Sequence, residues 1–156
     1  VNHENYMVRA VKEAREGIAL GQSPFGAVVV KEGLIIASAH NQVWATTDPT
    51  AHAEVLALRV AAKALKTIDL KGCTVYTTCE PCPMCLAAIH WAHVDRVFFG
   101  ATIADAAQAG FRELPVPAAE LARLGHSPLQ VQGAVMQAEC AALFDEWTRA
   151  GLGKKY

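Results

Sequence analysis

The chain is 156 residues long, room for one domain with a buried core, and 53% of it is apolar against 19% charged. That balance excludes a disordered chain. Fourteen Lys and Arg against fifteen Asp and Glu, interspersed, leave a net charge of −1 and no basic stripe for nucleic acid. No apolar stretch approaches the ~18 residues of a membrane span. Residues 1–5 lack the basic-then-apolar layout of a signal peptide, so the chain reads as soluble and cytoplasmic, with no membrane partner. Five cysteines, three of them between positions 79 and 85, are too tightly spaced for a disulfide framework and suit a metal or redox site.

In chain order, residues 4–20 carry Tyr6, Met7, Ala10, Val11, Ala14 and Ile18 at helical spacing, with charged residues opposite, which predicts an amphipathic helix. Residues 26–30 and 34–38 flank Lys31-Glu32-Gly33 as a hairpin; both strands are apolar nearly throughout, so the sheet is expected to be covered on both faces. A loop rich in Asn, Thr, Asp and Pro (41–50) leads to a helix over 52–65, a strand at 73–77 and a helix over 81–92 with Pro83 in its first turn. A strand at 94–100, a helix near 117–124, a short strand at 129–132 and a helix over 136–150 follow. This alternation predicts a single α/β domain, residues 1–156, built as a sandwich on a mixed sheet.

Two segments carry chemistry. Thr50-Ala51-His52-Ala53-Glu54 and Cys79-Glu80-Pro81-Cys82-Pro83-Met84-Cys85 each open a predicted helix, and His-x-Glu followed by Pro-Cys-x-x-Cys is the signature of zinc nucleobase deaminases. Cys82 and Cys85, i and i+3 in a first helical turn, bring both sulfurs to one ion, and the positive end of the helix favours thiolates. With His52 they make three ligands for one zinc per subunit. The fourth tetrahedral position is left for water, which zinc brings to a pKa of about 7. Glu54 is placed to carry protons rather than to ligate.

Other readings of the same residues stay open. Cys79-x-x-Cys82 overlaps Cys82-x-x-Cys85, which allows a redox dithiol or a closed four-ligand structural zinc. The His-x-Glu on the preceding helix favours the open, catalytic site. Cys79 at a strand end is read as a non-ligand, and Cys73 and Cys140 as inert core thiols. Trp91, nearly two turns beyond the cysteines, is either core or a wall of the pocket. His90 and His93 read as structural or exposed, and His40 and His126 as loop-edge residues.

Residues 48–55 (Asp-Pro-Thr-Ala-His-Ala-Glu-Val) and 79–85 resemble the cytidine deaminase-like superfamily, in particular its branch of bacterial guanine deaminases and tRNA-specific adenosine deaminases. The resemblance implies a three-layer α/β/α sandwich on a five-stranded mixed sheet of order 2-1-3-4-5. Asn2-His3-Glu4, residues 105–111 and Lys154-Lys155-Tyr156 are similar to the guanine enzymes, whereas residues 128–145 are similar to the tRNA enzymes. The guanine enzymes imply a homodimer in which segments from about 129 to 156 exchange, so that Tyr156 covers the other subunit's pocket. Without the resemblance, Tyr156 reads as a frayed terminus.

The resemblance also distributes substrate roles. Asn41 would hydrogen-bond the base, Phe25 would line its pocket and the Ala53 backbone would meet its edge; read alone, Asn41 is a turn residue and Phe25 a core residue. The acidic residue that follows Gly-Phe in the guanine enzymes maps onto Glu113, which can accept both the N1–H and the 2-amino group of guanine. Neighbouring Arg112 departs from the family pattern and offers a partner that would turn Glu113 away. Asp105 is a second acidic candidate, or else a helix N-cap.

The activity implied is zinc-dependent hydrolysis of guanine, a small purine base, to xanthine and ammonia. Activated water attacks the amino-bearing ring carbon, Glu54 shuttles protons, and Glu113 holds the base and assists the leaving group. Wobble-adenosine deamination in tRNA is the first alternative, although a net charge of −1 suits a small neutral base better than an anticodon loop. Another nucleobase, a nucleoside or an aminotriazine follows, and a zinc-stabilised binding module without turnover is the non-enzymatic alternative.

Overall fold

Apolar periodicity is realised as twelve elements in the computed structural model, which describes the whole chain, Val1–Tyr156. They are α1 (His3–Ala19), β1 (Gly26–Lys31), β2 (Leu34–His40), α2 (Val43–Thr46), α3 (Ala53–Leu65), β3 (Cys73–Cys79), α4 (Pro83–Trp91), β4 (Arg96–Ala101), α5 (Ile103–Gln108), α6 (Ala118–Leu124), β5 (Gln130–Gln132) and α7 (Gln137–Ala150). The strands form one sheet of order β2-β1-β3-β4-β5, the order the family resemblance implies. β1 runs antiparallel to both β2 and β3, while β3, β4 and β5 are mutually parallel, their crossovers made through α4 to α6.

Helices α1 and α7 cover one face of the sheet; α3 covers the other, flanked by α4 and then α6. β1 and β3 are buried along nearly their whole length, as continuous apolar runs covered on both faces should be. β2 departs from that expectation. It is the sheet edge, and Leu34 and Ile35 at its start are exposed where no helix reaches. Two glycines allow the layers to close. A Cβ at Gly26 would collide with the backbone carbonyl of Ala10 on α1, and one at Gly100 with the Cys140 side chain on α7. No helix is long and apolar enough to cross a membrane.

The parallel strands β3 and β4 end at Cys79 and Ala101, and the N-termini of α3 and α4 face that same edge of the molecule. Residues at the carboxyl ends of strands and the amino ends of helices therefore meet there, a common place for ligands in α/β sheets.

A candidate zinc centre and base pocket

His52 is the N-cap of α3 and Cys82 the N-cap of α4, so two helix starts aim at each other. The approach to His52 is rigid. Asp48 Oδ1 accepts from the Thr50 backbone (2.8 Å) and hydroxyl (2.7 Å), and the His52 N–H donates to the Thr50 carbonyl at 2.8 Å. Pro83 at the first position of α4 has no N–H to leave unpaired, and it sets the turn that brings Cys85 back beside Cys82.

His52 Nδ1 lies 3.7 Å from Cys82 Sγ and 3.4 Å from Cys85 Sγ, and the three donor atoms lie within 4.8 Å of one another. Tetrahedral zinc with Zn–S of ~2.3 Å and Zn–N of about 2.0–2.1 Å sets its N and S donors roughly 3.5 Å apart. Both His–Cys separations therefore match those around one zinc ion. Electrostatically the two sulfurs differ. The Cys85 thiol donates to Cys82, and that bond, assisted by His52, holds Cys82 down at about 4 despite burial. Donation to Cys82 and burial together push the Cys85 thiol well up. Burial alone would lower His52, but its bond to Cys82 and the charge of Glu54 outweigh it and raise it.

Around this centre one small cavity is lined by Phe25, Asn41, His52, Glu54, Cys79, Glu80, Cys82, Glu113 and Tyr156. Glu54, in the first turn of α3, is buried, and burial pushes its carboxyl up against the pull of His52. Burial, then the charge of Cys82, likewise pushes Glu113 up to about 7. Ala53 is fully buried at the first position of α3, where its methyl leaves only backbone groups to offer a bond. Cys79 lies outside the ligand group; its sulfur donates to the Thr102 carbonyl at 3.5 Å. Arg112 does not pair with Glu113: its side chain is exposed and its N–H donates to the Tyr156 carbonyl at 3.3 Å.

Tyr156 folds back over its own chain's site. Its hydroxyl accepts from Asn41 Nδ2 at 2.7 Å, and its ring lies 5.4 Å from both His52 and Phe111. The Asn41 Oδ1 is taken by the Val43 N–H at 3.0 Å, so the amide N–H₂ is the group that faces the cavity. The tail is tied down by the Lys154 carbonyl, which accepts from Trp44 Nε1 at 2.9 Å and from the Ser23 hydroxyl at 3.4 Å. With the phenol in place the cavity measures about 20 Å³, room for about one water-sized molecule.

Two expected pocket residues lie elsewhere. Trp91 ends α4 with 78% of its surface exposed. Six residues past Cys85 places it about 9 Å along the axis and roughly 120° around the helix, away from the site. Asp105 closes a capping box with Thr102: its carboxylate accepts from the Thr102 N–H at 2.9 Å, and its own N–H donates to the Thr102 hydroxyl at 3.1 Å. Sequence reasoning also passed over two residues at the site. Trp44 anchors the tail, and Glu80 binds two helix starts through backbone N–H groups that no sequence spacing reveals.

Residues 1–101 match the family model described as the cytidine and deoxycytidylate deaminase zinc-binding region. The chain is 51% identical over 127 residues to a guanine deaminase of Bacillus subtilis, covering 77% of this chain and 81% of that protein. It is 48% identical over 98 residues to a tRNA-specific adenosine deaminase of the same organism, covering 63% of this chain and 61% of that one. A solved guanine deaminase structure from Nitrosomonas europaea superimposes with a TM-score of 0.87 at 31% identity, over 96% of this chain and 86% of that one. The donor spacing, the fold and these relatives agree: the chain belongs to the cytidine and deoxycytidylate deaminase family and is a zinc-dependent nucleobase deaminase.

Proposed function

We propose that the substrate is guanine and the products are xanthine and ammonia. The observation that carries this reading is the second carboxylate. Glu113 lines the same cavity as His52, Cys82 and Glu54, and Asn41, whose amide N–H₂ is left to donate, lines it too. Guanine presents two adjacent donors, N1–H and the 2-amino group, which one carboxylate accepts together; adenine presents no such pair. Guanine deaminases among the relatives in sequence and in structure support the same choice.

His52, Cys82 and Cys85 would hold the zinc, which when bound would make a water acidic near neutrality. Glu54 accepts that water's proton at its carboxylate as oxygen bonds to the amino-bearing carbon. It passes that proton to the ring nitrogen and then carries the proton of the newly bonded hydroxyl to the amino group; as that oxygen becomes the ring carbonyl, the C–N bond breaks and ammonia leaves. Burial, which raises the Glu54 carboxyl, suits a group that must hold a proton between these transfers. Glu113 fixes the base and steadies the departing nitrogen. Phe25 packs edge-on to Phe111 at 5.0 Å and closes the apolar side of the pocket. Tyr156 withdraws to admit the base, which frees the Asn41 amide, and then covers the base again.

We place the activity in the cytoplasm as that of a homodimer. The free cysteines suit a reducing compartment. Exchange of residues 129–156 between subunits would bring Tyr156 to the other subunit's site through the same bonds it makes here. A second reading, deamination of tRNA adenosine, draws on the tRNA-specific relatives. It sits less well with a net charge of −1 and with a terminal tail laid across the pocket mouth, where a ribose-phosphate chain would pass.

Ammonia release from guanine, adenine, guanosine, cytosine and a tRNA anticodon stem-loop separates these readings. Guanine is expected to be the preferred substrate by a wide margin. Preference for the stem-loop would replace this reading with the second. Silence on every substrate from zinc-replete protein would leave a binding module.

A further inference from the structure

We propose that Glu80 is a positioning residue for the base-holding carboxylate: it staples both ends of the loop that carries Glu113. Glu80 follows β3 directly, and its own N–H donates to the Ala101 carbonyl at the end of β4 (2.8 Å), so its backbone is pinned to the sheet. Its two carboxylate oxygens then diverge. Oε1 accepts from the Ile103 N–H at 3.1 Å and Oε2 from the Ala118 N–H at 2.8 Å. These are the first residues of α5 and α6.

Neither helix can satisfy those donors itself. The capping box of α5 serves Thr102 and Asp105 and leaves Ile103 over. The N-cap of α6 is Pro117, which has no side-chain acceptor. Between the two anchors, residues 109–117 form no regular structure. Their backbone N–H bonds run from Gly110 to Ala107, Phe111 to Ala106, Glu113 to Phe111, Val116 to Leu114, and Arg112 to the Tyr156 carbonyl of the C-terminal tail. No side-chain partner holds the Glu113 carboxylate in place. Its position in the cavity is inherited from the loop, and the loop's from Glu80. Being adjacent to Pro81-Cys82, Glu80 ties that loop to the zinc-binding turn, so the base is held in fixed register with the attacking water.

The proposal rests on the reading of Glu113 as the residue that holds the base, and its test is a double-mutant cycle. Glu80→Gln keeps one acceptor oxygen and releases one end of the loop. Zinc content and folding are expected to persist. kcat/KM for guanine falls about a hundredfold, as a misplacement of roughly 1 Å produces. In a Glu113→Gln background the same change is expected to cost less than about threefold, because the group being positioned is already impaired. An equal loss in both backgrounds, or no loss in either, overturns the proposal. Should Glu113→Gln alone leave KM and kcat for guanine unchanged, the reading of Glu113 fails, and this proposal falls with it. Ala118→Pro supplies a second test without touching Glu80. Proline suits a first helical position and deletes one donor; the same loss of kcat/KM and the same non-additivity with Glu113→Gln are expected, and additivity overturns the proposal.

Discussion

Two carboxylates, Glu54 and Glu113, share one small cavity, and their surroundings differ. Glu54 is buried beside His52 at the start of α3, whereas Glu113 sits on a loop outside regular structure. Glu54→Gln preserves size and packing but cannot carry a proton. The variant is expected to retain one zinc per chain and to lose about 10³-fold or more in kcat, measured by ammonia release beside metal analysis. Near-normal turnover would remove Glu54 from the proton path. The cysteines offer a complementary test. Cys79→Ser is expected to keep zinc and activity, since that sulfur bonds to the Thr102 carbonyl, while Cys82→Ser loses both. Loss of zinc from the Cys79 variant would indicate a closed, four-ligand site.

Among the elements, the C-terminal tail has the most direct consequence. It reaches the pocket through Trp44, Ser23 and Asn41, and its Tyr156 lines the cavity with His52, Glu54 and Glu113. Deleting residues 153–156 is expected to leave the fold intact and to lower kcat/KM for guanine by about tenfold or more through loss of the cover. Unchanged kinetics would make the tail a bystander. These bonds were hidden from sequence reading, which could offer for Tyr156 either a frayed end or a borrowed family role. The long elements were legible because their apolar residues repeat at helical or strand spacing over enough turns to be read, as in α1, α3 and α7. The short α2 and α5 were missed, having too few residues for any period; the Thr102-x-x-Asp105 capping box was the available signal for α5. The three metal donors were legible because local spacing fixes two of them. Trp91 was misplaced because proximity along a helix says nothing of the direction around it, and Glu80 was missed because its partners lie 23 and 38 residues away.

For the molecule as a whole, the centre couples chemistry to stability. His52 comes from α3 and Cys82 and Cys85 from α4, so zinc bridges two neighbouring helices of one layer. Chelation is expected to abolish activity and lower Tm by roughly 10 °C, both restored by one equivalent of zinc, as followed by calorimetry. An unchanged Tm would mean the helices hold their places without it. Layer closure has its own test: Gly26→Ala drives a methyl into the α1 backbone and should cost about 1–3 kcal/mol or more in urea unfolding. The central claim, however, is that the pocket recognises guanine by accepting two of its donors. It is tested most directly by the ratio of kcat/KM for guanine over adenine in the zinc-loaded protein. A site built around those bonds predicts a ratio of about 10⁴; a ratio near or below one would contradict the account.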